Sequence, residues 1–191
     1  MAIRFAIFAS GSGSNFEALV KAVQAGQLNG EVAGLIVDKK EAYALKRAEN
    51  LDIEAHYINP KDYSDKEGYE QAILKQLIKW DVDVIVLAGY MRLIGTTLLS
   101  SFPKRIINIH PSLLPKYKGK DALGQALAQH EKVIGISVLY VDEGMDTGEI
   151  IDQFSFEIDP HQERHAIEEI LHAHEHQFYT KVLNNLWRKT V

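Results

Sequence analysis

The sequence predicts a single three-layer α/β/α domain, with a mostly parallel twisted sheet and a mixed edge. Three observations predict it. Short apolar runs alternate with segments of helical spacing up to about residue 132. The runs are apolar almost throughout, as strands covered on both faces must be. After residue 132 two longer strand-like segments follow one another across a tight loop, which predicts antiparallel or mixed pairing at one edge.

Each element can be justified in order. "IRFAIFA", residues 3–9, is the first strand, and "GSGSN", 11–15, is the turn after it. "FEALVKAVQAG" has helical spacing, with Gly26 as its stop. "EVAGLIVD" is the second strand and 41–50 the second helix; "IEAHYI", 53–58, is a weak third strand. Residues 65–80 form an amphipathic helix with Tyr69, Ile73, Leu77 and Trp80 on or near one face. "VDVIVLA" and "RIINIH" are two more strands, separated by a short helix near 95–101. "KVIGISVLYV" and "EIIDQFSFEI" flank the loop "DEGMDTG", and 162–187 is one long closing helix. No repeat, low-complexity stretch or linker divides the chain, so residues 1–191 are expected to form one domain.

Composition narrows the function. The formal charge is -5, with no basic stripe, which argues against a nucleic-acid partner. The absence of cysteine excludes disulfides, iron–sulfur clusters, thiolate zinc sites and a cysteine nucleophile. "VIVLAGYM" is too short to span a bilayer, so no membrane partner is expected. "MAIRFAIFAS" looks superficially like a signal peptide, but Arg4 interrupts it and the Gly-Ser turn leads straight into a helix. A cytoplasmic location is the simplest reading.

Two motifs carry chemistry. In "GSGSN" the glycines admit a close-lying anion, and the helix start offers free N–H groups with a favourable dipole. The dinucleotide fingerprint fails, because Phe16 occupies the third glycine position, and a Walker A loop fails for want of Gly-Lys-Ser/Thr. A single phosphate suits what remains; a plain turn capped by Ser14 or Asn15 is the other reading. In "IINIHPSLLPKYKG", Asn108 and His110 lie two apart on a strand and share a face, with Cα atoms roughly 6–7 Å apart. Pro111 ends the pairing, which leaves both at the carboxyl end of the strand, where open α/β sheets bind ligands. An amide donor and a charged imidazole there could hold a developing oxyanion; a capped strand end with a structural histidine is the alternative. "DEGMDTGEI" gathers Asp142, Glu143 and Asp146 in a turn whose spacing fails as a calcium loop. One of its carboxylates reaching His110 would favour the imidazolium; otherwise it is a solvated acidic turn. The histidines at 161, 165, 172, 174 and 176 lack the H-E-x-x-H pattern and an obvious third ligand, so no metal is expected.

Taken together, "FASGSGSNFEALV", "LAGYMRLIG", "IINIHPSLLPKYKG", "VDEGMDTGEII" and "HAHEHQFY" resemble the folate-dependent glycinamide ribonucleotide formyltransferases of purine synthesis. The resemblance implies the formyltransferase-like, Rossmann-type version of the predicted fold. It implies transfer of a formyl group from 10-formyltetrahydrofolate, a cosubstrate rather than a bound cofactor, to the amine of 5′-phosphoribosylglycinamide. Asn108, His110 and Asp146 would be catalytic. Gly13, Ser14 and Asn15 would hold the phosphate and Glu175 the ribose. Lys66, Met91, Arg92, Leu93, Ile94, Asn108, Val141, Asp142, Glu143, Gly144 and Asp146 would bind the folate. The bond before Pro115 is expected to be cis, and the 117–132 stretch to be a loop. The partners are small molecules, and the chain is expected to be a monomer or weak homodimer.

Lys118, Leu139 and Glu149 depart from the residues usual in such enzymes at those places. Related activities are a formyltetrahydrofolate hydrolase, which usually carries an extra N-terminal regulatory domain, and a methionyl-tRNA formyltransferase, which needs a further, generally basic, C-terminal domain. A non-enzymatic nucleotide-binding domain is the third alternative, and the intact Asn108, His110 and Asp146 count against it.

Overall fold

Branched and aromatic residues dominate the strand-forming runs, and the polar or Gly-rich breaks between them set the layers. The structure, a computed structural model, describes residues 2–189. Strands β1 (Ile3–Ala9), β2 (Gly30–Val37), β3 (Ala55–Tyr57), β4 (Val84–Leu87), β5 (Ile106–His110), β6 (Val133–Tyr140) and β7 (Ile150–Glu157) form one seven-stranded sheet, in the order β3-β2-β1-β4-β5-β6-β7. The first five are parallel. β6 and β7 run antiparallel, which is the mixed edge the late pattern predicted.

Helices α1 (Ser14–Gln24), α2 (Ala44–Asn50), α3 (Lys66–Lys79), α4 (Thr96–Ser101), α5 (Ala122–Ala128) and α6 (Arg164–Arg188) cover the sheet. Alternate strand side chains feed two cores. Phe5, Ile7, Leu35, Val86, Ile107 and Ile109 pack under α1, α2, α5 and α6. Ala6, Phe8, Ile36, Ile85, Leu87 and Ile106 pack under α3 and α4. Tyr69, Ile73, Leu77 and Trp80 are all buried there, as the helical spacing predicted.

Local chemistry sets the helix starts. The Asp65 carboxylate accepts from the Gly68 N–H at 2.7 Å, and the Asp121 carboxylate from the Gly124 N–H at 3.2 Å. Tyr179 of α6 is fully buried, and its hydroxyl lies 2.9 Å from the Leu87 carbonyl and 3.2 Å from that of Ile107. It thereby pins the closing helix across β4 and β5.

The expected 117–132 loop is corrected: it contains α5, because the Ala- and Leu-rich "ALGQALA" favours helix once Asp121 caps it. The second helix starts at Ala44 rather than 41, and a 3₁₀ turn, Pro60–Asp62, precedes α3.

Candidate active site

The site lies where the carboxyl ends of β1, β4 and β5 meet. In β5, Ile106 faces the α3/α4 core, and that core ends with it. Asn108 and His110 follow on the same face at period two, beyond the cover of the helices. Their partners across the ladder are Leu139 and Ser137 of β6. His110 is buried and Asn108 is partly open. Among the described residues the Asn108 side chain has no hydrogen-bond partner, so its amide is left free for a ligand.

The loop after β6 folds back over this face and delivers Asp146. Its carboxylate Oδ2 lies 3.5 Å from His110 Nδ1, and both side chains are almost wholly buried. The same oxygen accepts from the Gly119 N–H at 2.8 Å. His110 Nε2 lies 2.8 Å from the Tyr117 carbonyl. A carbonyl only accepts, so Nε2 carries a proton in either charge state. Nδ1 faces the carboxylate. Asp142 holds the loop in shape, accepting from the Gly144 N–H at 3.0 Å and the Thr147 hydroxyl at 2.6 Å.

Ser137 also holds the His110 loop. Ser137, fully buried beneath it, donates to the Ser112 carbonyl at 2.7 Å and accepts from the Leu114 N–H at 3.1 Å and from Gln153 at 2.9 Å. The Leu114–Pro115 bond is cis, as expected. Leu139, one of the departures, is buried beside Asn108 and leaves one side of that amide apolar.

At the end of β1, Gly13 adopts φ 76° and starts α1 with no side chain capping its first turn. A Cβ on Gly13 would sit 2.6 Å from the Ala44 Cβ, so the close pass of the α2 start requires glycine. The Ser14 and Asn15 capping alternative is thereby excluded, since no side chain bonds the first turn. Arg47 braces the turn, donating to the Ser12 carbonyl at 2.8 Å and to Glu17 at 2.6 Å. Across from it, one oxygen of the buried Glu175 accepts from Asn15 Nδ2 at 3.4 Å and faces His172 Nδ1 at 2.9 Å. That bond raises the His172 pKa, while burial lowers that of His176. Asn15 Oδ1 and His176 Nε2 are buried with no hydrogen-bond partner among the described residues.

Between these ends lies the segment after β4. Ser10 binds it twice, its N–H donating to the Gly89 carbonyl at 3.0 Å and its hydroxyl accepting from the Met91 N–H at 2.9 Å. Met91 and Leu93 are exposed and Ile94 is buried. Arg92 lies over the Tyr69 ring at 5.4 Å. The buried Glu70 accepts from the Gly95 N–H at 2.7 Å, and the Lys66 stem runs beside Gly95. Val141 packs against the same core.

The structure thus joins Asn108, His110 and Asp146 at one point, and Asn15 with Glu175 at another. Ser10, Glu70, Ser112, Tyr117, Gly119, Ser137, Gln153 and His172 were missed. Tyr117 and Gly119 act through backbone groups, which leave no mark in a sequence. Among the described residues no group of three His, Cys, Asp or Glu side chains could hold a metal ion, and no helix is long and apolar enough to cross a membrane.

Comparison with known proteins shows what this chain is similar to. The formyl transferase family matches residues 3–183. The phosphoribosylglycinamide formyltransferase of Bacillus subtilis (strain 168) is 50% identical over 183 residues, covering 96% of this chain and 94% of that protein. The crystal structure of glycinamide ribonucleotide transformylase 1 from Geobacillus kaustophilus superposes with TM-score 0.94 at 47% identity, over 98% of this chain and 100% of that one. Phosphoribosylglycinamide formyltransferase from Bacillus halodurans gives TM-score 0.94 at 45% identity, over 98% of this chain and 97% of that one.

Proposed function

The chain belongs to the formyl transferase family, and from that premise we infer a division of labour for transfer of the formyl group of 10-formyltetrahydrofolate to the amine of 5′-phosphoribosylglycinamide, a step of purine biosynthesis. The observation that carries it is the meeting of His110 Nδ1 and Asp146 at 3.5 Å beside the partnerless amide of Asn108.

The substrate amine attacks the formyl carbon, and the carbonyl oxygen gains negative charge in a tetrahedral intermediate. The Asn108 amide and His110 Nδ1–H donate to that oxygen. Preorganised donors in a water-poor site cost no reorganisation as charge develops. Asp146, next to Nδ1, serves as the carboxylate through which a proton passes from the attacking amine to the departing folate nitrogen, with water as carrier. No metal is needed, since two donors and one carboxylate supply the charge stabilisation and the proton path.

Gly13, Ser14 and Asn15 take the phosphate at the α1 N-terminus, and Glu175 accepts from the ribose hydroxyls. The folate lies along Met91, Arg92, Leu93 and Ile94 and under Val141, Asp142, Glu143 and Gly144, with Lys66 as a cationic contact for its acidic tail. Residues 1–191 act as one cytoplasmic domain, as a monomer or weak homodimer. The 117–132 segment closes over the folate, so a folate analogue slows proteolysis there; equal cutting with saturating ligand would count against that.

The deciding experiment follows tetrahydrofolate release by absorbance, with and without phosphoribosylglycinamide. Amine-dependent release with the formylated product found by mass supports transfer. Amine-independent release with free formate would replace it with hydrolysis, and no release would remove the reading.

A further inference from the structure

Building on the formyl-transfer reading, we propose that Glu131 and Tyr117 are positioning residues, which hold the catalytic histidine's ring from outside the reaction cleft. Tyr117 is unusual in its backbone. It is not glycine, yet it sits at φ 55°, in the left-handed region. Its carbonyl, so turned, meets His110 Nε2 at 2.8 Å. Two residues on, Gly119 presents its N–H to Asp146 Oδ2 at 2.8 Å. One short stretch of backbone therefore grips both members of the His110–Asp146 pair.

A non-glycine residue stays in this conformation only if its surroundings hold it there. The Tyr117 side chain supplies the hold. Its hydroxyl donates to Glu131 Oε1 at 2.8 Å, and Lys116 Nζ reaches the same oxygen at 3.1 Å. The Glu131 carboxyl is accordingly held below the usual carboxylate range, first by the Tyr117 hydroxyl and then by Lys116. Glu131 is itself fixed to the end of α5, since its N–H donates to the Ala126 carbonyl at 3.2 Å. Neither Glu131 nor the Tyr117 phenol touches the reacting centre. Releasing the phenol frees Tyr117 to return to negative φ, which swings its carbonyl away from Nε2. The ring then loses both its fixed tautomer and its orientation toward Asp146.

The test uses Tyr117→Phe and Glu131→Ala in the full chain, with two readouts. The first is steady-state transfer. Both variants should lower kcat by about 5-fold, the scale of one hydrogen bond, with KM for phosphoribosylglycinamide unchanged, because its phosphate and ribose groups lie by α1 and α6. The double variant should be no worse than either single one, because both break the same link. The second readout is the ring N–H signal of His110 in proton–nitrogen NMR without substrate. The wild-type Nε2–H should be slow to exchange with water, and both variants should lose that protection. An unchanged Nε2–H signal in both variants would overturn the proposal whatever their activity, as would unchanged kcat with only a lower melting temperature. A wild-type chain without transfer activity would instead refute the reaction reading, and the ring signal alone would then decide the clamp.

Discussion

Asn108→Ala tests the proposed oxyanion site most directly, because the structure separates its expected catalytic cost from its structural cost. The Asn108 backbone stays in the ladder between β4 and β6, where it pairs with Leu87 and Leu139. The side chain has no hydrogen-bond partner among the described residues, so truncation strands no donor or acceptor. The residue is only partly buried, so the hole left opens toward the cleft rather than becoming a sealed cavity. The stability cost should therefore stay within about 1 kcal/mol, well short of the 2–5 kcal/mol of a large core truncation. The catalytic cost is set by the lost donor to an oxyanion, about 2.7–4 kcal/mol, or roughly 100- to 1,000-fold in kcat. His110 still donates, so activity should not vanish. The assay pairs the initial rate of tetrahydrofolate formation at saturating substrates with a urea unfolding curve on the same preparation. A kcat within about 3-fold of wild type would refute the assignment of Asn108 as an oxyanion donor. A large loss of stability would refute the view that its side chain is held in reserve for the ligand.

Other predictions concern different parts of the molecule. Gly13→Ala forces a Cβ to within 2.6 Å of the Ala44 Cβ at φ 76°; it should cost about 1–3 kcal/mol of stability and raise KM for phosphoribosylglycinamide, both measurable on one purified variant. Tyr179→Phe removes the hydroxyl that reaches two strand carbonyls and should lose about 1 kcal/mol in urea unfolding with kcat little changed. The α6 histidines should give opposite pH signatures in stability. His172 has a raised pKa through Glu175, so its contribution is present below the unfolded-state value of about 6.5 and fades as pH rises through the folded one. His176 has a lowered pKa through burial, so the stability of its neutral form is lost as pH falls from that unfolded value toward the folded one. The destabilisation by His172→Gln should therefore be larger at pH 5.5 than at pH 8, and that by His176→Gln smaller; the same order for both variants would contradict the assigned environments.

The sequence by itself determined the strand runs, a mostly parallel sheet with a mixed or antiparallel edge, and the placing of Asn108 and His110 on one face. These are local properties. Period-two and helical spacing report which face a residue takes, and Pro111 marks where the strand stops. The Gly-rich turn before α1 was legible for a similar reason, since its glycines and the helical spacing after them are local features. The tertiary structure decided what those residues do to one another. Asp146 is far from His110 in the chain, and only the fold of the loop after β6 brings its oxygen to Nδ1. A backbone carbonyl at Tyr117 holds the His110 ring, and a backbone N–H at Gly119 holds the Asp146 carboxylate. Every residue but proline carries those same two groups, so no sequence pattern marks the ones that matter. Helix α5 escaped notice because its apolar face is short and its start depends on Asp121, whose aspartate–arginine pairing with Arg164 comes from α6. Side-chain identity is written in the sequence, but the direction of a main-chain dipole is fixed only when distant segments pack.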